Sequence, residues 1–483
     1  MAFGPPPSPF TQSRQAESRD RKRRRSIALV SLGVVAGVLA VGGWLLWPKA
    51  TEPVDNLAPH SQAADAPDDI RETVEDLPGK GGAGHLEVSM MATDLKPGKT
   101  VSTPGMWVTD KTLVKGRDTS LLGVRIKDDT NAWTKELPGE ICATTPYVTV
   151  DGRTAVLYED PQRGNGCNHL LMFDLDTGKP LWESTIPWKR PPMGEPTRVT
   201  MTRGVVVTTW QQGSAGTDMR TGKMLWERGR TKECYDGQAA GGEALLIRID
   251  CAVAGGLDDV RYRIEKVDAR TGHVTWSYPV AQGVDLPYVV SSSPAVLAVQ
   301  AGEHEVTDLL SLDKHGKHSA TIRMEGTHYN VDCSAERGDG CAGALVAENQ
   351  VFIASGSASE ELGNNTNWIV SFDLATGKSG VKFDAGQDQQ LHLIRMSGDR
   401  ALAVKEGTDE ATPLSLVSLD PKTGKQQTYF YFSMPPESGS ADGRSIIAIE
   451  DGRLFMGNEA VRGKEKDGIS EARYMAFGVG PAK

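Results

Sequence analysis

The sequence predicts an all-β fold: an eight-bladed β-propeller preceded by an N-terminal transmembrane helix and a disordered linker. Three features predict it: a ten-residue motif that recurs along the chain, a strand-pair pattern that recurs beside it, and one long apolar segment near the N-terminus. The 483 residues include 53 Gly and 27 Pro. This composition is typical of chains in which many turns connect short strands.

The repeated motif appears first as FDLDTGKPLW at residues 173–182. Four further copies are TDMRTGKMLW (217–226), VDARTGHVTW (267–276), FDLATGKSGV (372–381) and LDPKTGKQQT (419–428). Their glycines lie 44, 50, 105 and 47 residues apart, and the widest interval holds a degenerate copy, LDKHGK, at 312–317. A period of about 44–60 residues is typical of propellers and solenoids.

The residue types in the motif predict a hairpin turn. The aspartate at the strand end can accept hydrogen bonds from turn amides, and the glycine supplies the positive φ that closes the hairpin. The tryptophan in the next strand is large enough to fill the gap to a neighbouring unit. We assign this structural role to Asp174, Gly178, Trp182, Asp218, Gly222, Trp226, Asp268, Gly272, Trp276, Asp373, Gly377, Asp420 and Gly424.

A second pattern gives the number of units. Strand pairs such as ALVAENQVFIASGS at 344–357 occur eight times, which predicts eight units of three to four strands. Closing the units into a ring removes exposed sheet edges. The chain ends soon after RYMAFGV (473–479), so the last unit lacks a fourth strand. We therefore expect the segment His85–Met91, which alternates like a strand, to supply it and close the propeller.

The repeat resembles the docking motif of pyrroloquinoline-quinone (PQQ) type propellers. These occur in quinoprotein alcohol dehydrogenases and in the propeller lipoprotein of the outer-membrane barrel-assembly machinery. The resemblance spans roughly residues 85–483, and the pattern of Asp, Thr, Gly, Lys and Trp is complete in the copies ending at Trp182 and Trp226. His273 replaces Lys in the third copy, and the last two copies lack Trp. The resemblance implies the fold and leaves the activity open.

An enzymatic alternative follows from the same resemblance, with PQQ and Ca²⁺ in the propeller channel. Quinoprotein dehydrogenases place a disulfide between adjacent cysteines over the cofactor, and this sequence has no adjacent cysteine pair. It also lacks G-x-S-x-G, P-loop and H-E-x-x-H motifs. His315 and His318 are close together, but they lie in and after the degenerate turn, where we expect solvated side chains rather than metal ligands. The sequence thus predicts no catalytic residue, cofactor or metal.

Six cysteines indicate disulfides in an oxidising compartment. On the predicted strand order, two of them fall in connections into the second and fourth units and two in the second-to-third strand loops of those units. The last two fall in the connection into the sixth unit. Sequential pairing is therefore the economical choice, and it gives Cys142–Cys167, Cys234–Cys251 and Cys333–Cys341.

The three predicted disulfides all lie on the side of the propeller opposite the motif turns. Long loops on that side would surround the channel mouth, so we expect ligand contacts there. The alternative is that the disulfides only stabilise exposed loops against proteolysis.

The N-terminal region predicts a membrane anchor. Residues 26–47 contain no charge and, as a helix, reach about 33 Å, enough to span a bilayer. The basic run Arg21–Arg25 before them predicts a cytoplasmic N-terminus. The alternative is a cleaved signal peptide, although the apolar segment is long for one. The predicted regions are a disordered cytoplasmic tail (1–25), a transmembrane helix (26–47), an extracytoplasmic linker (48–84) and the propeller (85–483).

Charge and layout together predict the function. The first 49 residues hold 8 of the 53 basic and 2 of the 63 acidic side chains, which leaves 45 basic and 61 acidic ones in the rest. That acidic excess argues against a nucleic-acid partner. We expect a single-pass membrane protein, similar in layout to actinobacterial membrane proteins, that binds a protein, peptide or cell-envelope ligand without catalysis. An envelope sensor with a cytoplasmic partner is a further alternative.

Overall fold

Strands form every regular element in the part of the chain that the structure describes. The structure is a computed structural model, and it describes residues 66–76, 81–159, 166–186, 197–210, 213–252, 260–301, 305–324, 328–333, 340–356, 366–407, 412–436, 438, 446–463 and 473–481. Within these ranges the fold is all-β, as predicted. None of these residues forms a helix that is long and apolar enough to cross a membrane. The predicted tail (1–25) and transmembrane helix (26–47) lie outside the described residues.

Short runs of apolar and β-branched residues, bounded by Gly, Asp and Pro, set the strand bounds. The strands are β1 (Gly82–Met91), β2 (Thr100–Ser102), β3 (Met106–Val108), β4 (Thr112–Arg117), β5 (Ser120–Arg125), β6 (Thr130–Glu136), β7 (Ile141–Thr144), β8 (Arg153–Glu159), β9 (Cys167–Asp174), β10 (Pro180–Thr185), β11 (Arg198–Thr202), β12 (Val205–Trp210), β13 (Gly213–Asp218), β14 (Met224–Gly229), β15 (Cys234–Ala240), β16 (Leu245–Ala252), β17 (Val260–Val267), β18 (Val274–Pro279), β19 (Tyr288–Ser292), β20 (Ala295–Val299), β21 (Asp308–Leu312), β22 (His318–Arg323), β23 (Ala344–Val346), β24 (Gln350–Ala354), β25 (Trp368–Asp373), β26 (Ser379–Asp384), β27 (Gln389–Ser397), β28 (Arg400–Gly407), β29 (Leu414–Asp420), β30 (Lys425–Phe432), β31 (Ile446–Glu450), β32 (Arg453–Gly457), β33 (Ala460–Arg462) and β34 (Tyr474–Pro481).

Most strands associate in antiparallel groups of four that follow chain order. Sheets 1 to 6 are β3–β6, β7–β10, β11–β14, β15–β18, β19–β22 and β23–β26. Sheet 7 is β27–β30, and sheet 8 contains β31, β32, β34 and β1. A short parallel contact between β30 and β1 joins these last two into one eight-stranded sheet. β2 and β33 form a separate ladder of two strands.

The first strand completes the last sheet. β1 pairs antiparallel with β34 from Gly84 to Met91 and is the outermost strand of sheet 8. The predicted pairing of His85–Met91 with the last unit is therefore confirmed. β1 also lies close to sheet 7. A Cβ on Gly84 would be only 2.6 Å from the ring of Phe430. Only glycine fits at this position.

The hydrophobic core is divided among the spaces between sheets. Successive strand residues point to opposite faces, so each sheet contributes to two clusters. Trp107 of sheet 1 and Phe173 of sheet 2 share one cluster, and similar clusters join each following sheet to the next, up to sheets 7 and 8. A further cluster unites Val88 and Phe455 of sheet 8 with Met106 of sheet 1.

The predicted linker at 48–84 is wrong at its C-terminal end. Residues 66–76, which we call the strap, lie against the sheets, and β1 already begins at Gly82. The chain divides into the units Met1–Ala63 and Ala64–Lys483, so the strap belongs to the second unit. Its sequence, APDDIRETVED, is polar and acidic, as is typical of solvated segments. Contacts to residues far along the chain hold it on the sheets instead.

Lys115 is a charged side chain buried between sheets 8 and 1. Its relative exposure is 0%, its Nζ donates a hydrogen bond to Gly105 O at 2.9 Å, and Gly457 of β32 lies beside it. Burial lowers the pKa of Lys115 to about 7, while the charge of Glu459 acts in the opposite direction. Between that value and the ordinary pKa of 10.5, the unfolded chain binds the proton and the folded protein does not.

We expect the free energy of unfolding to rise with pH across this window, by up to about 1.4 kcal/mol per pH unit from this group. Lys115→Met removes the buried ammonium, so it should flatten the slope and stabilise the protein below pH 7 by about 1–3 kcal/mol. Urea unfolding at several pH values checks this, with Lys111→Met on the exposed turn as the control. An unchanged slope in Lys115→Met would contradict the assignment.

Candidate functional site

The motif copies fold as the predicted hairpin turns between the third and fourth strands of their sheets. Asp174 Oδ1 accepts hydrogen bonds from the amide and hydroxyl of Thr177 at 2.8 and 2.7 Å. Gly178 has a φ of 67° and donates its amide to Asp174 O. The same backbone turn, with a positive-φ glycine, recurs in the pairs Asp218/Gly222, Asp268/Gly272, Asp373/Gly377 and Asp420/Gly424.

The motif tryptophans pack on the turn of the next sheet. A Cβ built on Gly222 would lie 2.7 Å from the indole of Trp182, and one on Gly272 would lie 2.8 Å from that of Trp226. The indole of Trp226 donates a hydrogen bond to Ala269 O at 2.7 Å. Each turn thus presents a bare backbone surface and a carbonyl acceptor, and the indole binds both. The predicted role of these tryptophans as contacts between units fits this geometry.

The sequence analysis missed one docking tryptophan. Trp133 of sheet 1 packs on Gly178 and donates its indole hydrogen to Leu175 O at 3.1 Å. In its own turn, Asp129 adopts a φ of 51° four residues before it, where other copies have glycine. Aspartate is among the few residues that tolerate this conformation. A search allowing Asp at that position would have found this copy.

The repeat diverges in sheets 5 to 7. The degenerate turn of sheet 5, from Asp313 to Gly316, is one residue shorter than the others. Trp276 still packs on Gly316, but its buried Nε1 has no hydrogen-bond partner among the described residues. The next two docking positions hold smaller side chains, Ala320 against Gly377 and Val381 against Gly424. These contacts fill less space than an indole does.

The strap crosses the side of the sheets that carries the first-to-second and third-to-fourth strand turns, which we call the turn face. At one end its main chain bonds to the turns of sheets 2 and 3: Arg71 N donates to Val148 O at 2.8 Å, and Asp68 O accepts from Gly204 N at 3.0 Å. At the other end, Glu75 N donates to Ser397 Oγ of sheet 7 at 2.8 Å. The turn face therefore binds a segment of the chain's own polypeptide.

Two ion pairs hold the strap. Arg71 Nη2 lies 2.5 Å from Glu450 Oε2, and Glu75, whose side chain is 2% exposed, pairs with Arg395. The second carboxylate oxygen of Glu75 accepts the amide hydrogen of Gly452. Burial lowers the pKa of Arg395, and burial raises that of Glu450, with the charge of Arg71 opposing it. Both pairs are thus mostly withdrawn from water.

A cleft of about 960 Å³ lies beside the strap on the turn face. Turns of sheets 4 to 7 form its walls, and Glu72 of the strap forms one edge. It lies over the sheets in which the repeat diverges. Its lining residues are Glu72, Glu243, Lys266, Trp276, Ser292, Ser293, Pro294, Ala295, Leu312, Asp313, Lys314, Val346, Ala347, Glu348, Asn349, Gln350, Met396, Gly398, Asp399, Pro421 and Lys422.

The cleft carries more acidic than basic side chains. Lys422 and Asp399 pair at 2.5 Å, and this contact raises the pKa of Lys422 and lowers that of Asp399. The other charged groups on the lining are four carboxylates and two lysines, namely Glu72, Glu243, Asp313, Glu348, Lys266 and Lys314. The unequal numbers favour a ligand that brings positive charge.

All six cysteines pair as expected, as Cys142–Cys167, Cys234–Cys251 and Cys333–Cys341. Four of them lie within strands and not in the connecting loops expected for them: Cys142 in β7, Cys167 in β9, Cys234 in β15 and Cys251 in β16. The reason is that the ladders extend further than the sequence pattern indicated, and Cys234 and Cys251 oppose each other directly across β15 and β16.

Two disulfides lie at strand ends opposite the turn face and the third lies in the connection into sheet 6, as predicted from the strand order. Much of the loop sequence on that side is outside the described residues. The expectation that ligands contact that side therefore stays a prediction. The described residues do form a cleft on the turn face.

The described residues do not fit the PQQ site of quinoprotein dehydrogenases. The three disulfides join cysteines separated by 25, 17 and 8 positions, so none is the adjacent-cysteine disulfide that covers that cofactor. Among the described residues, no three His, Cys, Asp or Glu side chains come together as they would around a metal ion. His318 Nε2 instead lies 2.8 Å from Thr321 Oγ1.

Comparison with known proteins gives one family. The family described as outer membrane protein assembly factor BamB matches residues 87–233 and 168–427, and no curated protein matches significantly. BamB from Moraxella catarrhalis is 12% identical, with 80% of this chain and 99% of that chain covered and a TM-score of 0.44. Quinohemoprotein alcohol dehydrogenase ADHIIG from Pseudomonas putida HK5 is 11% identical, with coverages of 84% and 79% and a TM-score of 0.44. The propeller domain of the Trilobed protease from Pyrococcus furiosus is 10% identical, with coverages of 69% and 96% and a TM-score of 0.40.

The docking contacts predict different costs for the same substitution at two tryptophans. Trp226→Phe leaves the carbonyl of Ala269 without its donor and should lower the free energy of unfolding by about 1 kcal/mol more than Trp276→Phe. Trp276→Phe removes an indole hydrogen that has no acceptor, so packing is its main cost. Urea unfolding of both variants measures the difference. Equal losses would contradict the role of the turn carbonyl.

The ion pairs predict that the Glu75 side chain holds the strap on the turn face. Glu75→Gln leaves Arg395 without its counter-ion and should destabilise the attachment of the strap by about 2 kcal/mol. Limited proteolysis should then cut within 66–76 more readily. Asp76→Asn, at the exposed carboxylate next to Glu75, is the matched control and should leave the rate of cutting unchanged. Equal protection of both variants would show that the ion pair does not hold the strap.

Proposed function

The chain belongs to the family described as outer membrane protein assembly factor BamB, and we propose on this premise that it is a membrane-anchored binding module. Its ligand is an extended polypeptide segment of a partner protein, held in the turn-face cleft without catalysis. The propeller lies outside the cytoplasm, and residues 26–47 anchor it in the membrane with the N-terminus in the cytoplasm. A nucleic-acid partner is not part of this proposal, because the cleft carries a net negative charge.

The proposed architecture is an eight-bladed propeller in which sheets 1 to 8 are the blades. The order of the core clusters supports it, because each is shared by two sheets and one of them unites sheet 8 with sheet 1. The pairing of β1 with β34 supports closure by the two ends of the domain. A closed, rigid ring of turns suits a module that presents a binding surface.

The strap is the single observation that carries the proposed ligand class. It is an eleven-residue segment, a turn at 66–69 followed by chain that is neither helix nor strand, and it is bound on the turn face through main-chain hydrogen bonds at one end and a buried carboxylate at the other. The cleft continues the same surface, because Glu72 of the strap lines it and Val74 of the strap lies beside Gly398 of its lining. The turns of sheets 4 to 6 around the cleft carry backbone groups of the same kind as the turns of sheets 2 and 3 that hold the strap. The acidic excess of the lining favours a segment with a lysine or arginine.

The location outside the cytoplasm is supported by cysteine chemistry. All six cysteines are in disulfides and none is free. Disulfides persist in oxidising compartments and are rare in the cytosol. The apolar sequence at 26–47 and the basic run Arg21–Arg25 give the proposed anchor its orientation. Both segments lie outside the described residues, so this part of the proposal is based on the sequence.

Site-specific photocrosslinking in intact cells tests the proposed site. A photoreactive residue at Gln350 or Lys314, on the cleft lining, should capture the same partner protein. The same residue at Lys127, on the turn of sheet 1, should not. Glu348→Lys brings positive charge into the cleft and should lower the yield at Gln350 about tenfold, equivalent to about 1.4 kcal/mol.

Two outcomes would overturn the proposal. One is capture that is equal at Lys127 and at the cleft positions, because the cleft would then have no selective role. The other is turnover of an alcohol by the purified full-length protein when PQQ, Ca²⁺ and an artificial electron acceptor are added. That result would replace the binding module with an oxidoreductase that uses the propeller channel.

A further inference from the structure

One of the three disulfides is in contact with a guanidinium group. Arg263 Nη1 lies 3.3 Å from Cys251 Sγ and 3.6 Å from Cys234 Sγ. Its Nε donates to Glu265 Oε1 at 2.7 Å, and Arg228 Nη2 donates to the other oxygen of Glu265 at 2.6 Å. Glu265 is thus shared by two arginines. It fixes the Arg263 side chain with Nη1 directed at the sulfur atoms.

Near this disulfide the carboxylates are paired with arginines, and the charged group that contacts the sulfur atoms is positive. Asp236 pairs with Arg228 at 3.3 Å, and burial raises the pKa of Asp236, with the charge of Arg228 opposing it. The charge of Glu265 is met by both arginines. β17 also places Arg261 directly opposite Cys251 in the ladder. A thiolate formed at Cys251 would therefore lie against a guanidinium, an arrangement that lowers a thiol pKa.

Exposure alone would favour a different disulfide. Cys142 of the Cys142–Cys167 pair is exposed, whereas Cys234 and Cys251 are half-buried. Among the contacts that the described residues make, a cation on sulfur occurs in the Cys234–Cys251 pair and in neither of the others. If exposure controls reduction, Cys142–Cys167 should open first. If the charge on sulfur controls it, Cys234–Cys251 should open first, so the order of opening distinguishes the two.

We propose that Cys234–Cys251 is a thiol–disulfide exchange site, a property separate from the proposed binding function. A thiolate of an external thiol attacks Cys234 Sγ, the bond between Cys234 and Cys251 breaks, and its electron pair leaves on Cys251 Sγ beside Arg263. A second thiolate then attacks the sulfur of the first external thiol in the mixed disulfide and releases Cys234 as a thiolate. Two external thiols are oxidised to one disulfide, while the protein's disulfide is reduced to two thiols that take up the protons.

Cys251 is the proposed leaving group because its sulfur is the nearer one to Arg263. Exchange is faster when the departing thiol has a lower pKa. Arg263 touches sulfur and no external group, so it acts by stabilising the thiolate. The chemistry is the same for a small thiol and for a dithiol protein, and the two differ only in whether a stable mixed disulfide accumulates on Cys234.

The test measures the order in which the disulfides open in the full-length protein. Reduced glutathione or dithiothreitol is added, thiols are alkylated after timed intervals, and each cysteine is quantified by peptide mass spectrometry. We expect Cys234 and Cys251 to be alkylated about tenfold faster than Cys142 and Cys167, and glutathione to be found on Cys234. The Cys142–Cys167 disulfide serves as the internal control in every sample.

Variants of Arg263 separate electrostatics from access. Arg263→Gln should slow opening of Cys234–Cys251 about three- to tenfold without changing Cys142–Cys167, and Arg263→Lys should retain most of the rate. Arg125→Gln, at an exposed ion pair with Asp128 in sheet 1, is the matched control. If Arg263→Gln unfolds, all three disulfides become reducible together, and the order of opening in the unmodified protein then decides the test.

Two results would overturn the proposal. One is opening of Cys142–Cys167 before Cys234–Cys251 in the unmodified protein, because access would then determine the order. The other is an equal rate of opening for the Cys234–Cys251 disulfide in the glutamine, lysine and unmodified forms. Attachment of glutathione to Cys251 instead of Cys234 would also contradict the assignment of the leaving group.

Discussion

The contact between an indole ring and the turn of the next sheet holds neighbouring sheets of this protein together. A glycine with positive φ leaves a bare stretch of backbone at the turn, and the tryptophan of the preceding sheet covers it and donates its indole hydrogen to a turn carbonyl. The contact needs both partners, because any Cβ on Gly222 or Gly272 would collide with the ring. Apolar clusters then fill the space beneath each pair of sheets.

In sheets 5 to 7, where this contact is weaker, the turn face forms a cleft. The shortened turn of sheet 5 leaves the indole hydrogen of Trp276 without an acceptor, and Ala320 and Val381 replace tryptophan at the next two positions. The cleft lies over these sheets and has the strap along its edge. Divergence of a structural repeat and a candidate binding surface therefore coincide, as expected where local rules of stability are relaxed for function.

The sequence was informative about local turn chemistry and uninformative about contacts between distant residues. The Asp–Thr–Gly turns, the pairing of His85–Met91 and the three disulfides follow from short patterns and strand order, and all occur in the structure. The strap was missed because nothing in its own sequence predicts a bound conformation. Its attachment depends on Arg395 and Glu450, more than three hundred positions away. Trp133 was missed because Asp129 replaces the glycine.

The turn face holds the strap, and this contact within the chain is the basis for our proposal that the turn face binds polypeptide. Hydrogen exchange of the full-length protein, compared with a variant lacking residues 66–76, tests it most directly. We expect the amides of Val150, Gly204 and Gly452, which donate to the strap, to exchange slowly in the full chain and much faster in the variant. The exchange of the Leu171 amide in β9 should be unchanged. Equal exchange of these three amides in both proteins would contradict it.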